Sequence, residues 1–214
     1  IKYKGPYVLS DKLDGISIML HYEGGNPVPK IYTRGNGKVG SDASALAKYM
    51  NFPAVVTDSP IYVRGELLIP KGDWSYFSGD YKNPRNAVSG LVGGLVSAKK
   101  IKPKYLKRLH FVVFDAVMDE MLKSSEQLSW ASLQGFHVVQ HKLSKSITIK
   151  QLSDELLDRR SSSDYEIDGI ILMDDHVYPK PTSGNPKYAL AFKMVLEDQI
   201  KEEKNLEATL LIEP

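Results

Sequence analysis

A chain of 214 residues, 42% hydrophobic and 25% charged, is long enough to bury a substantial core, which excludes a disordered or low-complexity protein. The lack of cysteine excludes disulfide staples and thiolate metal sites, and no apolar run reaches the roughly 18 residues of a membrane span. A formal charge of +2 does not announce a nucleic-acid partner, yet Lys99, Lys100, Lys102, Lys104, Lys107 and Arg108 crowd one segment. That run fits phosphate-backbone contacts or a solvated loop.

In chain order, apolar runs and alternation predict strands over 7–9, 16–22, 28–33, 61–69, 110–117, 136–140, 169–174 and 189–195. Glu23-Gly24-Gly25-Asn26 reads as the hairpin turn between the second and third. Helical spacing is expected over 42–50, 84–95, 125–134 and 148–160, with Asp42 and Thr148 as N-caps. Strands that cluster in pairs, with few βαβ alternations, predict an α+β fold built on antiparallel sheets. The chain begins at Ile1 and ends after the apolar run 208–212, so a piece of a longer polypeptide is expected.

Six segments carry polar side chains out of apolar strands or a helix start. Lys12-Leu13-Asp14-Gly15 places an amine at a strand end, and Asp14 can orient it or take its proton. Amine attack on phosphorus or carbonyl requires a neutral lysine, hence burial or a cationic neighbour. Thr33-Arg34-Gly35-Asn36-Gly37-Lys38-Val39-Gly40 is either a loop that admits a bulky anion or a glycine-rich hairpin turn. Val63-Arg64-Gly65-Glu66 buries a carboxylate that needs a partner, a ribose hydroxyl pair or Arg64. Asn83-Pro84-Arg85-Asn86 opens a helix where Arg85 can grip an anion beside free backbone amides. Asp168 precedes an apolar strand and can bind a metal or hold the Lys12 amine, and Lys193 ends another strand within reach of a phosphate.

In this order and spacing the blocks KLDG at 12–15, TRGNG at 33–37, VRGE at 63–66, NPRNA at 83–87, YEIDG at 165–169 and ALAFK at 189–193 resemble the adenylation (nucleotidyltransferase) domain of NAD-dependent DNA ligases. The resemblance covers roughly residues 7–194. It implies an ATP-grasp-like α+β domain of two antiparallel sheets flanked by helices, residues 1–194, with 195–214 a linker or the first strand of an OB domain. It further implies that Lys12 takes AMP from NAD, and that the adenylate passes to the 5′-phosphate of nicked double-stranded DNA for sealing. Catalytic roles fall to Lys12, Asp14, Asp168 and Lys193. Ser10, Asp11, Arg34, Glu66, Phe114 and Met173 join Lys12 and Lys193 at the nucleotide, with Glu66 on the ribose and Phe114 stacked on adenine. Arg34, Arg85, Lys99 and Lys100 are expected on DNA, and Asp168 and Glu66 at Mg²⁺.

Three positions depart from the family pattern: Ser10 stands where a glutamate near adenine is usual, Met173 where a lysine is usual, and Gly93 where an arginine is usual. Base recognition is therefore the part least explained. A cytoplasmic monomer of bacterial, phage or viral DNA metabolism is expected, with a nicotinamide-binding module and an OB domain on further parts of the polypeptide. The alternatives are an ATP-dependent DNA or RNA ligase, a capping-type nucleotidyltransferase, or a non-catalytic ligase-like domain that binds DNA.

Overall fold

Among the described residues, nine strands form two antiparallel sheets. The computed structural model describes residues 3–37, 39–180, 184–194 and 212–213. β1 (Tyr7–Leu13), β6 (His141–Ser144), β7 (Ile167–Asp174), β8 (Ala189–Phe192) and β9 (Ile212–Glu213) make the first sheet in the order β6-β1-β7-β8-β9. β2 (Ile16–Tyr22), β3 (Lys30–Thr33), β4 (Ile61–Leu68) and β5 (His110–Val117) make the second in the order β3-β2-β4-β5. The helices are α1 (Pro84–Val96), the short α2 (Pro103–Leu106), α3 (Ser124–Leu133) and α4 (Ile149–Ser162).

Strand alternation sends successive side chains to opposite faces. On the outer face of the first sheet, Tyr7, Leu9, Ile170 and Leu172 pack on Leu152 and Leu156 of α4. On the outer face of the second, Ile18, Leu20, Val63 and Leu67 pack on Val88, Leu91 and Leu95 of α1. Between the sheets lies a smaller cluster of Val8, Leu68, Val112, Leu128, Val139 and Tyr165, with Leu13 and Phe114 packed against it. Lys71 adds a crossing tie, its N–H donating to Asp164 O at 2.8 Å and its Nζ to Arg160 O at 2.8 Å.

The α+β antiparallel architecture matches the expectation, and the strand over 16–22 keeps its bounds. The first strand runs on through Lys12 to Leu13, because its pairing with β7 continues past the apolar triplet. The run 136–140 is not a ladder strand: it buries Phe136 and Val139, bridges β5 only at Val113, through Val113 N to His137 O and Val139 N to Val113 O, both 2.8 Å, and reaches β1 through Asp11 N to Gln140 O at 3.1 Å. Pairing with β1 resumes one residue later, at His141. Thr148 caps α4 in a reciprocal capping box with Gln151. Asp42 instead accepts from Ser44 N at 2.7 Å ahead of a 3-10 turn at Ser44–Lys48, whose N-cap is Ala43. The end of the expected strand at Val195, and most of the expected linker after it, lie outside the described residues. Ile212 and Glu213 pair with Phe192 and Ala191.

Candidate active site

Lys12 lies on the face of β1 that looks toward the second sheet, because its neighbour Asp11 looks toward α4. Asp11 is buried there and accepts from Arg159 Nε at 3.0 Å and Nη2 at 2.9 Å. That two-point pair keeps Asp11 away from Lys12, so the structure does not bring this expected nucleotide residue to the cluster.

Lys12 Nζ donates to Asp168 Oδ2 at 2.6 Å, and Lys193 Nζ reaches the same oxygen at 3.2 Å. A β-bulge makes this possible. Lys12 pairs with Gly169 and Leu13 with Ile167, which leaves Asp168 as the extra residue, re-aimed out of the ladder toward the amine. Gly169 contributes by lacking a side chain, since a Cβ there would collide with the Phe192 carbonyl and crowd Lys193 Cγ at 3.2 Å. Burial pushes the Asp168 carboxyl up, but the hydrogen bonds and charges of Lys12 and Lys193 outweigh it and hold the group below its ordinary range.

Asp14 does not hold the amine. It accepts from Arg85 Nη1 at 2.6 Å, which moors the guanidinium at the start of α1, where Asn83 Oδ1 caps Asn86 N at 2.8 Å. The Arg85 charge acts on Glu66 and Asp168 as well as on Asp14. The partner expected for Glu66 is also different: Arg64 pairs with Asp115 at 3.4 Å. Glu66 stands opposite Ser17 in the β2–β4 register and is pushed up to about 7, chiefly by burial, against the Ser17 hydroxyl, the Arg85 charge, the Gly15 N–H and the Lys12 charge. Gly15 lets the strands come this close, because a Cβ there would collide with Leu67 O and meet Glu66 Cγ at 2.9 Å. Ser17 is a member that motif reading overlooks; its only signal is its place two residues after Gly15.

Arg34 is exposed at the head of the glycine loop, its N–H donating to Ser17 O at 3.2 Å. The loop closes as a hairpin through Thr33 N to Ser41 O at 2.9 Å. Phe114 is the extra residue of a second bulge, where Arg64 pairs with Asp115 and Gly65 with Val113, and it is half-buried against the cluster between the sheets. Met173 is half-buried opposite Val8, on the Lys12 face. Lys99 and Lys100 are exposed at the far end of α1, which closes about 16 Å along the helix from Arg85, with Lys99 N donating to Gly94 O at 3.2 Å. They stand apart from the cluster.

Asp168 and Glu66, expected as metal ligands, do not make a metal pocket. Two ammonium groups already share Asp168 Oδ2, the Glu66 carboxyl favours its proton, and no group of three or more metal-ligating side chains stands together among the described residues. What the cluster offers is a lysine amine with a fixed partner, two more cations, and a buried carboxyl suited to hydroxyl donors.

Comparison with known proteins gives the family. The family model for the NAD-dependent DNA ligase adenylation domain matches residues 2–197. A DNA ligase of Acanthamoeba polyphaga mimivirus is 36% identical over 203 residues, 90% of this chain and 30% of that protein. A DNA ligase of Lachnoclostridium phytofermentans is 33% identical over 91% of this chain and 31% of its own length. The chain thus spans just under a third of these relatives. A solved structure from work on Lig E DNA ligases superposes with a TM-score of 0.55 at 20% identity, over 89% of this chain and 63% of that one, and speaks for the fold. By the family match over nearly its whole length, the chain belongs to the NAD-dependent DNA ligase adenylation domain family.

Proposed function

We propose that this chain takes an adenylyl group from NAD onto Lys12, as the first step of DNA nick sealing. The observation that carries the reading is the sharing of Asp168 Oδ2 by Lys12 Nζ and Lys193 Nζ, at 2.6 and 3.2 Å. Asp168 holds the amine at the cleft floor, and Lys193 brings a second positive charge beside the atom that attacks. Nζ, having given one proton to solvent, forms a P–N bond to the α-phosphorus of NAD and gives up a second proton to solvent as the phosphoramidate forms. The bond from that phosphorus to the bridging oxygen breaks, and nicotinamide mononucleotide leaves with the electron pair. Charge that builds on the phosphoryl oxygens falls to Lys193, Arg85 and Arg34, while Glu66 accepts from ribose hydroxyls. Phe114 supplies a ring face for the base, and Ser10 and Met173 border the same end of the cleft.

The adenylate then passes to a DNA 5′-phosphate, and a 3′-hydroxyl displaces AMP. Arg34 and Arg85 sit where the 5′-phosphate arrives, and Lys99 and Lys100 extend a basic surface for the duplex. Mg²⁺ on the donor's phosphates would supply further charge neutralisation; no described residue is assigned to it.

The test is incubation with NAD labelled in its adenylate. A covalent adduct, lost in Lys12→Ala, is expected. An adduct formed with ATP and not with NAD would overturn the donor, and no adduct with either would overturn the reading.

A further inference from the structure

Strand pairing fixes which side chains share the cleft face with Lys12. Directly opposite residues of an antiparallel pair point to the same face. Ser10, two residues before Lys12, pairs with His141 of β6 on one side and with Ile171 of β7 on the other, and Ile171 pairs with Ala191 of β8. A row His141, Ser10, Ile171, Ala191 therefore runs beside Lys12. The next row, Leu143, Val8, Met173 and Ala189, is apolar, and Val8 belongs to the cluster against which Phe114 packs. The charged end of the cleft lies at Asp168 and Lys193 and the ring-packing end at Val8 and Phe114. Ser10 and His141 are the polar groups of the row between them.

His141 is half-buried, and its Nδ1 lies 2.9 Å from Val139 O. A carbonyl oxygen only accepts, so Nδ1 carries the hydrogen, and Nε2 of the neutral ring is an acceptor. Among the described residues Nε2 has no partner. Its neighbour Lys142 points the other way, to Glu155 of α4.

We propose that His141 reads the purine of the donor: Nε2 accepts a hydrogen bond from the exocyclic amine of adenine, with the Ser10 hydroxyl beside it. The proposal rests on the adenylyl-transfer reading of Lys12. It places base recognition on the edge strand β6, outside the motifs that carry the phosphate chemistry. A 6-oxo purine sets a carbonyl against that acceptor, and two facing acceptors cannot pair, so a hypoxanthine nucleotide is disfavoured.

The experiment measures AMP and IMP binding to the full chain by calorimetry, alongside adduct formation with NAD by intact mass. The expected result is a preference for AMP of about tenfold or more, which falls below about threefold in His141→Leu, chiefly through weaker AMP binding. His141→Gln, whose Oε1 restores an acceptor, recovers part of the preference, and Lys142→Ala keeps it. An unchanged AMP/IMP ratio in a folded His141→Leu that still forms the adduct overturns this inference alone. Absence of both the adduct and AMP binding in the unaltered chain overturns the adenylyl-transfer reading beneath it.

Discussion

A carboxyl enclosed in an apolar strand prefers its proton, and at Glu66 that preference has two consequences of opposite sign. The folded group titrates at about 7 against an ordinary 4.5. Between these values the folded chain binds a proton the unfolded chain has released, so stability falls as pH rises from about 4.5 to about 7 and stays low above. Glu66→Gln should remove that slope and stabilise the chain at pH 8 by on the order of 2 kcal/mol, read from urea melts at pH 5 and pH 8. Ribose hydroxyls favour the ionised form, so nucleotide binding should release a proton, strengthen up to about pH 7, and weaken in the same variant. A variant that melts like the parent at both pH values would show that burial does not govern this group. At Asp168 the balance is reversed, because Lys12 and Lys193 outweigh burial and hold the carboxyl ionised. Asp168→Asn leaves two ammonium groups without their shared partner and frees the nucleophile to wander. Adduct formation with NAD should slow about a hundredfold, measured in a single turnover. A rate within a factor of three of the parent would deny Asp168 its positioning role.

At the scale of strands and turns, two bulges do what regular ladders cannot. One aims Asp168 at Lys12 and the other makes Phe114 the extra residue of β5, and both depend on tight backbone packing nearby. Gly15→Ala tests that packing directly: its Cβ would press on Leu67 O, so the cost should be about 1–3 kcal/mol in denaturant melts. Gly72→Ala, where a Cβ meets open space, is the control and should change little. Most of the strands, the caps of α1 and α4 and the six polar blocks were readable from hydrophobic period and capping chemistry. Who partners whom was not readable. Asp14 pairs with Arg85 across 71 positions and Lys12 with Asp168 across 156, and no local pattern encodes such contacts. β6 escapes notice because it is a short edge strand with one apolar residue, Leu143, and that one is exposed. His141 is overlooked with it.

Across the whole molecule, each sheet holds part of the site. Lys12, Asp168 and Lys193 belong to the first sheet, Glu66 and Phe114 to the second, so the angle between the sheets decides whether the cluster is assembled. The apolar cluster between them is small, and polar ties supplement it. The chief tie is Lys180, which leaves the first sheet after β7 and inserts its Nζ between Asp115 Oδ1 of β5 and Gln127 Oε1 of α3, the latter at 3.1 Å. Arg64 holds the other Asp115 oxygen at 3.4 Å. With side chains only 22% and 12% exposed, the Lys180–Asp115 pair is shielded from solvent more than the Lys12–Asp168 pair, so its loss should be measurable where a surface pair's is not. A double-mutant cycle of Lys180→Ala and Asp115→Asn should give a coupling on the order of 1 kcal/mol in urea melts. Because neither residue is assigned a contact to nucleotide, AMP affinity should fall in both single variants only through the looser sheets, and by similar factors. If the coupling is near zero, or if one variant loses AMP binding while the other keeps it, Lys180 is not a strap between the sheets.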